Sequence, residues 1–236
     1  MTTLQTAPAW ASNALVRAVW VAADESPEWI ADRTDVLVQQ LRELFGIEQW
    51  RALNGETWEG SRTDLAQIVR NYVVVDDAYD PPQAEPESGY RLWIKGECPR
   101  VQVRVEVTAG AIHPGTRIPL HHLMIRINER TPEIVTSGAM DRVCNSIARV
   151  WQPSCIDMAD MAVIRTARRG DWKIGVGYRT WISTEVGTVT HLVDRLTATE
   201  LAGGTLISAP DDWPASRVVE AVTATLRENG LDEVPH

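Results

Sequence analysis

Five histidines and three cysteines are the side chains of this chain best suited to hold a transition metal or to act as nucleophiles, and their spacing decides whether they do. His121 and His122 form the one histidine cluster. Neighbours on a strand point to opposite faces, so the two are poorly placed to share an ion. A site from His113, His122 and Cys155 is conceivable, but histidines at the start of a strand account for the same residues without a metal. Cys98, Cys144 and Cys155 are odd in number and widely spaced, which fits free, mostly buried thiols in a reducing compartment. No HExxH, CxxC, EF-hand loop, GxGxxG, phosphate loop or GxSxG elbow occurs. Gly175-Val-Gly177 instead suggests a close backbone approach within a strand, and Gly203-Gly204 a turn. The expectation is no metal, no cofactor, no catalytic residue and no enzymatic activity.

Acids are the other group that could do chemistry. Asp76-Asp77 with Asp80 looks at first like the carboxylate cluster of a cation site or a nuclease. Such clusters sit on rigid strands beside a basic residue, whereas these acids adjoin Pro81-Pro82 in a stretch, 76–89, that is acidic, proline-rich and aperiodic. A solvated loop is one reading, and a recognition surface for a basic partner is the other. The wider charge distribution bears on the second. The chain has 236 residues and a formal charge of -9, from 23 basic and 32 acidic side chains. Residues 1–100 hold 16 acids and 9 bases, and residues 101–236 hold 16 and 14, so the acidity is concentrated in the first part. A nucleic-acid or anionic-membrane binder needs a basic footprint, so neither is expected as a direct partner. An acidic half that mimics phosphate charge is what an inhibitor of a nucleic-acid enzyme presents to a basic cleft.

The elements that must position these residues follow from pattern. Asn13–Ala22 reads as a buried strand. Ser26 can cap, and Pro27 can start, a helix carrying Ile30, Leu37, Leu41, Leu44 and Phe45 on one face and ending at Gly46. A weaker helix is predicted over 62–69. Val101, Val103, Val105 and Val107 alternate with Gln102, Arg104 and Glu106, the period of a strand with one wet face, and Tyr90–Lys95 is its hairpin partner through Gly96-Glu97-Cys98-Pro99. Leu123–Ile127 is a further strand and Ser137–Trp151 a helix closed by Pro153. Strands are predicted over 155–164, 172–183, 189–196 and 205–208, and a last helix, with Asp211 or Asp212 near its start, carries Val218, Val222 and Leu226 up to Gly230. Ten tryptophans against one phenylalanine imply many buried indoles, each needing an acceptor for its N–H. Helices and strands mix without βαβ alternation. The expected fold class is therefore α+β, a mostly antiparallel β-sheet packed against a few α-helices in a single domain over 13–230, with 1–12 and 231–236 as flexible termini. The N-terminus has neither the basic residues nor the apolar run of a signal peptide, and a cytoplasmic location is expected.

Several motifs in order carry a resemblance. Ala18-Val-Trp20 followed by Glu25-Ser26 and a helix, Gly89-Tyr90-Arg-Leu-Trp93-Ile-Lys-Gly96 after an acidic loop, and Val150-Trp151-Gln-Pro153 at a helix end are three of them. Ile174-Gly-Val-Gly177-Tyr178-Arg-Thr180-Trp181 and Leu201-Ala-Gly203-Gly204-Thr205-Leu206-Ile207 complete the set. In this arrangement, over most of residues 14–227, the chain resembles the immunity protein 52 family of bacterial polymorphic toxin systems. Departures are Lys95 in place of Asn, Tyr178 in place of Trp, and permuted aromatics over 176–181. The resemblance implies an antitoxin that binds a cognate secreted toxin encoded by a neighbouring gene, commonly a restriction-endonuclease-fold nuclease, and blocks its active site or substrate channel. The matching residues are Trp, Gly and apolar types, which mark scaffold. The partner-binding surface is expected instead at Asp76, Asp77, Tyr79, Asp80, Glu85 and Glu87, with Tyr79 as aromatic anchor and the carboxylates meeting Lys or Arg. Two rival readings are a metal-dependent hydrolase with a dispersed site and a secretion-system adaptor protein.

Overall fold

The computed structural model describes Pro8 and residues 10–236. In chain order its strands are β1 (Ala14–Val19), β2 (Trp50–Ala52), β3 (Val75–Asp76), β4 (Gln83–Ala84), β5 (Tyr90–Glu97), β6 (Val101–Ala109), β7 (His122–Glu129), β8 (Cys155–Ala159), β9 (Arg179–Ser183), β10 (Thr197–Leu201) and β11 (Gly204–Ser208). The α-helices are α1 (Pro27–Phe45), α2 (Arg62–Arg70), α3 (Ser137–Trp151), α4 (Met161–Ala167) and α5 (Ala215–Glu228). Nine strands form one sheet in the order β10-β11-β9-β8-β1-β7-β6-β5-β2, with every neighbouring pair antiparallel. The two remaining strands, β3 and β4, pair only with each other. The chain is a single α+β domain, as its pattern predicts.

Local chemistry sets the main elements. Trp29 N–H donates to Ser26 Oγ at 3.2 Å, Pro27 occupies the first turn of α1, and Gly46 ends it in the left-handed region at φ 68°. Periodicity places Ile30, Leu37, Val38 and Leu41 on one stripe, and all four are buried. α2 opens on a capping box, in which Ser61 and Asp64 exchange side-chain and backbone hydrogen bonds. In β6 the four alternating valines are buried and Arg104 is exposed, and the hairpin with β5 closes with Glu97 opposite Gln102.

The two sheet faces differ. Val16, Met158 and Arg179 lie in register on one face, and Arg179 Nε donates to Asp141 of α3 at 2.6 Å, which puts α3 on that side. On the opposite face Arg17 Nε donates to Asp157 Oδ1 at 3.0 Å. The segment 172–177 crosses this pair so closely that a Cβ on Gly175 would stand 1.9 Å from Asp157 Oδ1. β8 and β9 are therefore buried along their whole length, whereas β5, β6 and β7 bury one face and turn the other towards solvent.

Three expectations are corrected. The strand over 155–164 stops at Ala159, because Asp160 Oδ1 accepts from Val163 N–H at 2.8 Å and starts α4. Only 179–183 of the segment 172–183 is strand. Before it, Ile174 N–H donates to Asp232 O and Val234 N–H to Trp172 O, so the backbone bonds go to the C-terminal residues rather than to a sheet. Residues 189–196 form no strand. The amides of Thr190 and His191 donate to Asn229 Oδ1 and that of Val193 to Thr225 Oγ1, which ties the segment to the end of α5. Asp211 and Asp212 do lie just before α5, whose N-cap is Pro214, and Asp211 accepts from Arg179 Nη1 at 3.2 Å.

The ends of the described chain are packed. Trp10 is fully buried, with its ring centroid 6.0 Å from that of Tyr178. Leu231 and Val234 are buried, and His236 stacks on Trp172 at 4.2 Å. Residues 1–7 and 9 lie outside the described residues. Indole acceptors are found for Trp20 (Glu25), Trp58 (Asp35) and Trp181 (Leu201 O), while the buried N–H groups of Trp10, Trp50 and Trp151 face no acceptor among the described residues.

Candidate functional site

The acidic stretch 76–89 has more structure than an aperiodic loop. Val75 pairs with Ala84 and Asp76 with Gln83, making a two-stranded ribbon whose tip carries Asp77, Tyr79 and Asp80. The ribbon is rooted on the main sheet by backbone bonds. Val74 N–H donates to Gly89 O at 2.9 Å, Glu85 N–H to Val74 O at 2.8 Å, and Arg91 N–H to Tyr72 O at 2.9 Å. Gly89 sits at φ 78° where a Cβ would meet Ala109 O at 2.4 Å, so only glycine lets the chain leave the ribbon and enter β5. After β4, Ile112 N–H donates to Glu87 O and Ser88 Oγ to Glu85 Oε2, which fix the return.

This root leaves the side chains free. Asp77, Tyr79, Asp80, Glu85 and Glu87 are exposed and Asp76 is half-buried, its Oδ1 accepting from Ala78 N–H at 2.9 Å. Tyr79 and Val75 are each 53% exposed, unusual for large apolar groups. Among the described residues none of the five carboxylates lies within ion-pair distance of a Lys, Arg or His. Of the six residues singled out from the sequence, the structure thus places Asp76, Asp77, Tyr79 and Asp80 on the ribbon and Glu85 and Glu87 at the short turn that follows it, Pro86–Ser88. Val75 and the rooting residues Tyr72, Val73 and Val74 escaped that reading. The β-branched run Val73-Val74-Val75 just before the acids was the available signal for them.

His121, Cys144 and Cys155 are buried in the scaffold. His121 is fully buried, its Nε2 3.8 Å from Glu25 Oε2 and its ring stacked on Trp20. Glu25 accepts from Trp20 Nε1–H at 2.7 Å and from Gly110 N–H at 2.8 Å, so this carboxylate clasps the ends of β1 and β6. His122 points to the other face, as the alternation predicts. Burial, then the neighbouring Arg17, Arg91 and His121, push its pKa down to about 4. Cys144 and Cys155 are free and buried, and burial pushes both thiols up to about 12, where little nucleophilic thiolate forms. Among the described residues no three His, Cys, Asp or Glu side chains converge on a point where a metal would fit, so His113, His122 and Cys155 are not brought together as a ligand set. Among the same residues no helix is long and apolar enough to cross a membrane.

No family model and no curated protein matches the chain. Among solved structures it is similar to the Pseudomonas aeruginosa T6SS protein PA0821, with a TM-score of 0.47 and 10% identity, over 92% of this chain and 76% of that one.

Proposed function

We propose that this chain is an immunity protein that binds and neutralises a cognate secreted toxin, a nuclease encoded by a neighbouring gene, by covering its active site or substrate channel. One observation carries the reading: five carboxylates and a tyrosine lie on a rooted ribbon and the turn that follows it, without ion pairs among the described residues. A nuclease cleft is lined by Lys and Arg that meet phosphates, and such a cleft accepts a carboxylate-bearing ribbon by the same charge-assisted hydrogen bonds. The root matters energetically. A ribbon already fixed by backbone bonds loses less freedom on docking than a mobile loop would. Tyr79 supplies apolar area at the tip, where an aromatic anchor contributes most.

The resemblance to immunity proteins fits this division of labour, because its Trp and Gly positions lie after β1, in β5, at the end of α3, over 174–181 and in the β10–β11 hairpin, with Gly89 alone at the root of the ribbon. The test is a single variant in which Asp76, Asp77, Asp80, Glu85 and Glu87 become Ser and Tyr79 becomes Ala. Titrated against the toxin domain, it should bind about 100-fold or more weakly, with an unchanged circular dichroism spectrum because the rooting bonds are backbone bonds. Unchanged affinity would place the interface elsewhere on the molecule.

A further inference from the structure

The open sheet face carries a charge pattern that the overall acidity conceals. Lys95 lies directly opposite Arg104 across β5 and β6, and Arg104 directly opposite Arg126 across β6 and β7. Opposed side chains on adjacent strands stand about 5 Å apart, and like charges in that relation destabilise a sheet. Arg104 and Arg126 are exposed, and neither has an ion-pair partner among the described residues; only Lys95 is compensated, by Glu97 at 3.2 Å. The next row of the same face holds Trp93, Glu106 and Met124 in register, all half-buried, and beyond it Arg91 is exposed and likewise without an ion-pair partner among the described residues. Two acids adjoin the row: Glu97, which pairs with Lys95 and Arg130, and Glu106, which is in no ion pair among the described residues. Two of the three cations in this row, Arg104 and Arg126, thus have no ion-pair partner among the described residues, on a chain whose formal charge is -9.

We propose that this face is the docking surface for the acidic ribbon of a second copy of the chain, each copy inserting its ribbon onto the other's sheet. The two surfaces are complementary in both respects that matter. Asp77, Asp80 and Glu87 match the cations, and the exposed Tyr79 and Val75 match Trp93 and Met124, the two apolar side chains that flank Glu106. The ribbon of the same copy does not serve, since none of its carboxylates reaches a cation among the described residues. A two-fold arrangement uses each complementary contact twice, which closes the assembly as a dimer. The inference stands on the charges of this chain alone; it uses the ribbon proposed above to meet the toxin, so the self-dimer and the toxin complex exclude each other.

Sedimentation of the full chain tests it. The protein should be dimeric at about 0.05 M salt and monomeric at about 1 M, where the screening length falls to about 3 Å. A face variant, Arg104→Glu with Arg126→Glu, and a ribbon variant, Asp77→Lys with Asp80→Lys and Glu87→Lys, should each self-associate at least about 100-fold more weakly. Mixed together, the two variants should form a one-to-one heterodimer, since the acidic ribbon of the first still meets the basic face of the second, and the basic ribbon the acidic face. A wild-type chain that stays monomeric at low salt would overturn the proposal, as would variants that dimerise like the wild type or a mixture that remains monomeric. Recovery of the heterodimer also shows that both variants are folded.

Discussion

Arg17 and Asp157 show how single residues here trade charge against burial. The pair bridges β1 and β8 under the segment 172–177, and the carboxylate, followed by lesser contributions from Cys155, holds the Arg17 guanidinium above its usual pKa against the opposing effect of burial. Removing one partner of such a pair costs about 3–5 kcal/mol, mostly because the other charge is left buried alone. Gly175 belongs to the same arrangement, as its missing side chain is what lets the segment close over the carboxylate. The sequence showed Gly175 as a close approach but not what it approaches, because Arg17 and Asp157 become neighbours only when β1 and β8 pair. His122 lies on this face too, with a pKa of about 4 in the fold against 6.5 for a free imidazole. The unfolded chain therefore takes up the proton first, so stability is lost as pH falls through 6.5 and levels off below about 4. Urea midpoints at pH 7 and pH 4.5 should converge in His122→Gln relative to the wild type. An identical loss in both proteins would show that His122 is not the titrating group.

At the scale of elements, what was legible is what local chemistry dictates. α1 and α3 were readable because caps, apolar stripes and stop residues agree over many residues. The β5–β6 hairpin was readable because strict alternation admits one register. What failed were segments whose backbone bonds go to distant side chains. Residues 189–196 look like a strand by composition, yet Asn229 and Thr225 take their amides. Asp160 was the missed signal within 155–164, a capping residue hidden in an apolar run. Asp160→Ala should lower stability by about 1 kcal/mol through loss of the cap on α4, read as a shifted urea midpoint. A variant as stable as the wild type would mean that packing of α4 on α5 holds the helix without its cap. The acidic stretch was legible as charge and not as a ribbon, because two-residue strands carry no periodicity.

Across the whole molecule, the sheet works as a frame with two dissimilar regions. Its β8–β9 region is buried along its whole length, while the β5–β7 region is open on one face and supports the ribbon at its margin. The formal charge of -9 averages over an acidic ribbon and a basic face, which composition alone cannot separate. An antitoxin role draws on the first of these, placed where a basic cleft can receive it without disturbing the core. Electrostatic encounter of that kind speeds association more than it lengthens the life of the complex, so salt should slow binding before it weakens it. The most direct measurement is co-expression with the C-terminal domain of the protein encoded immediately upstream, scored by growth and by co-purification. Restored growth together with a one-to-one complex is the predicted result; continued toxicity with no complex would contradict the antitoxin account.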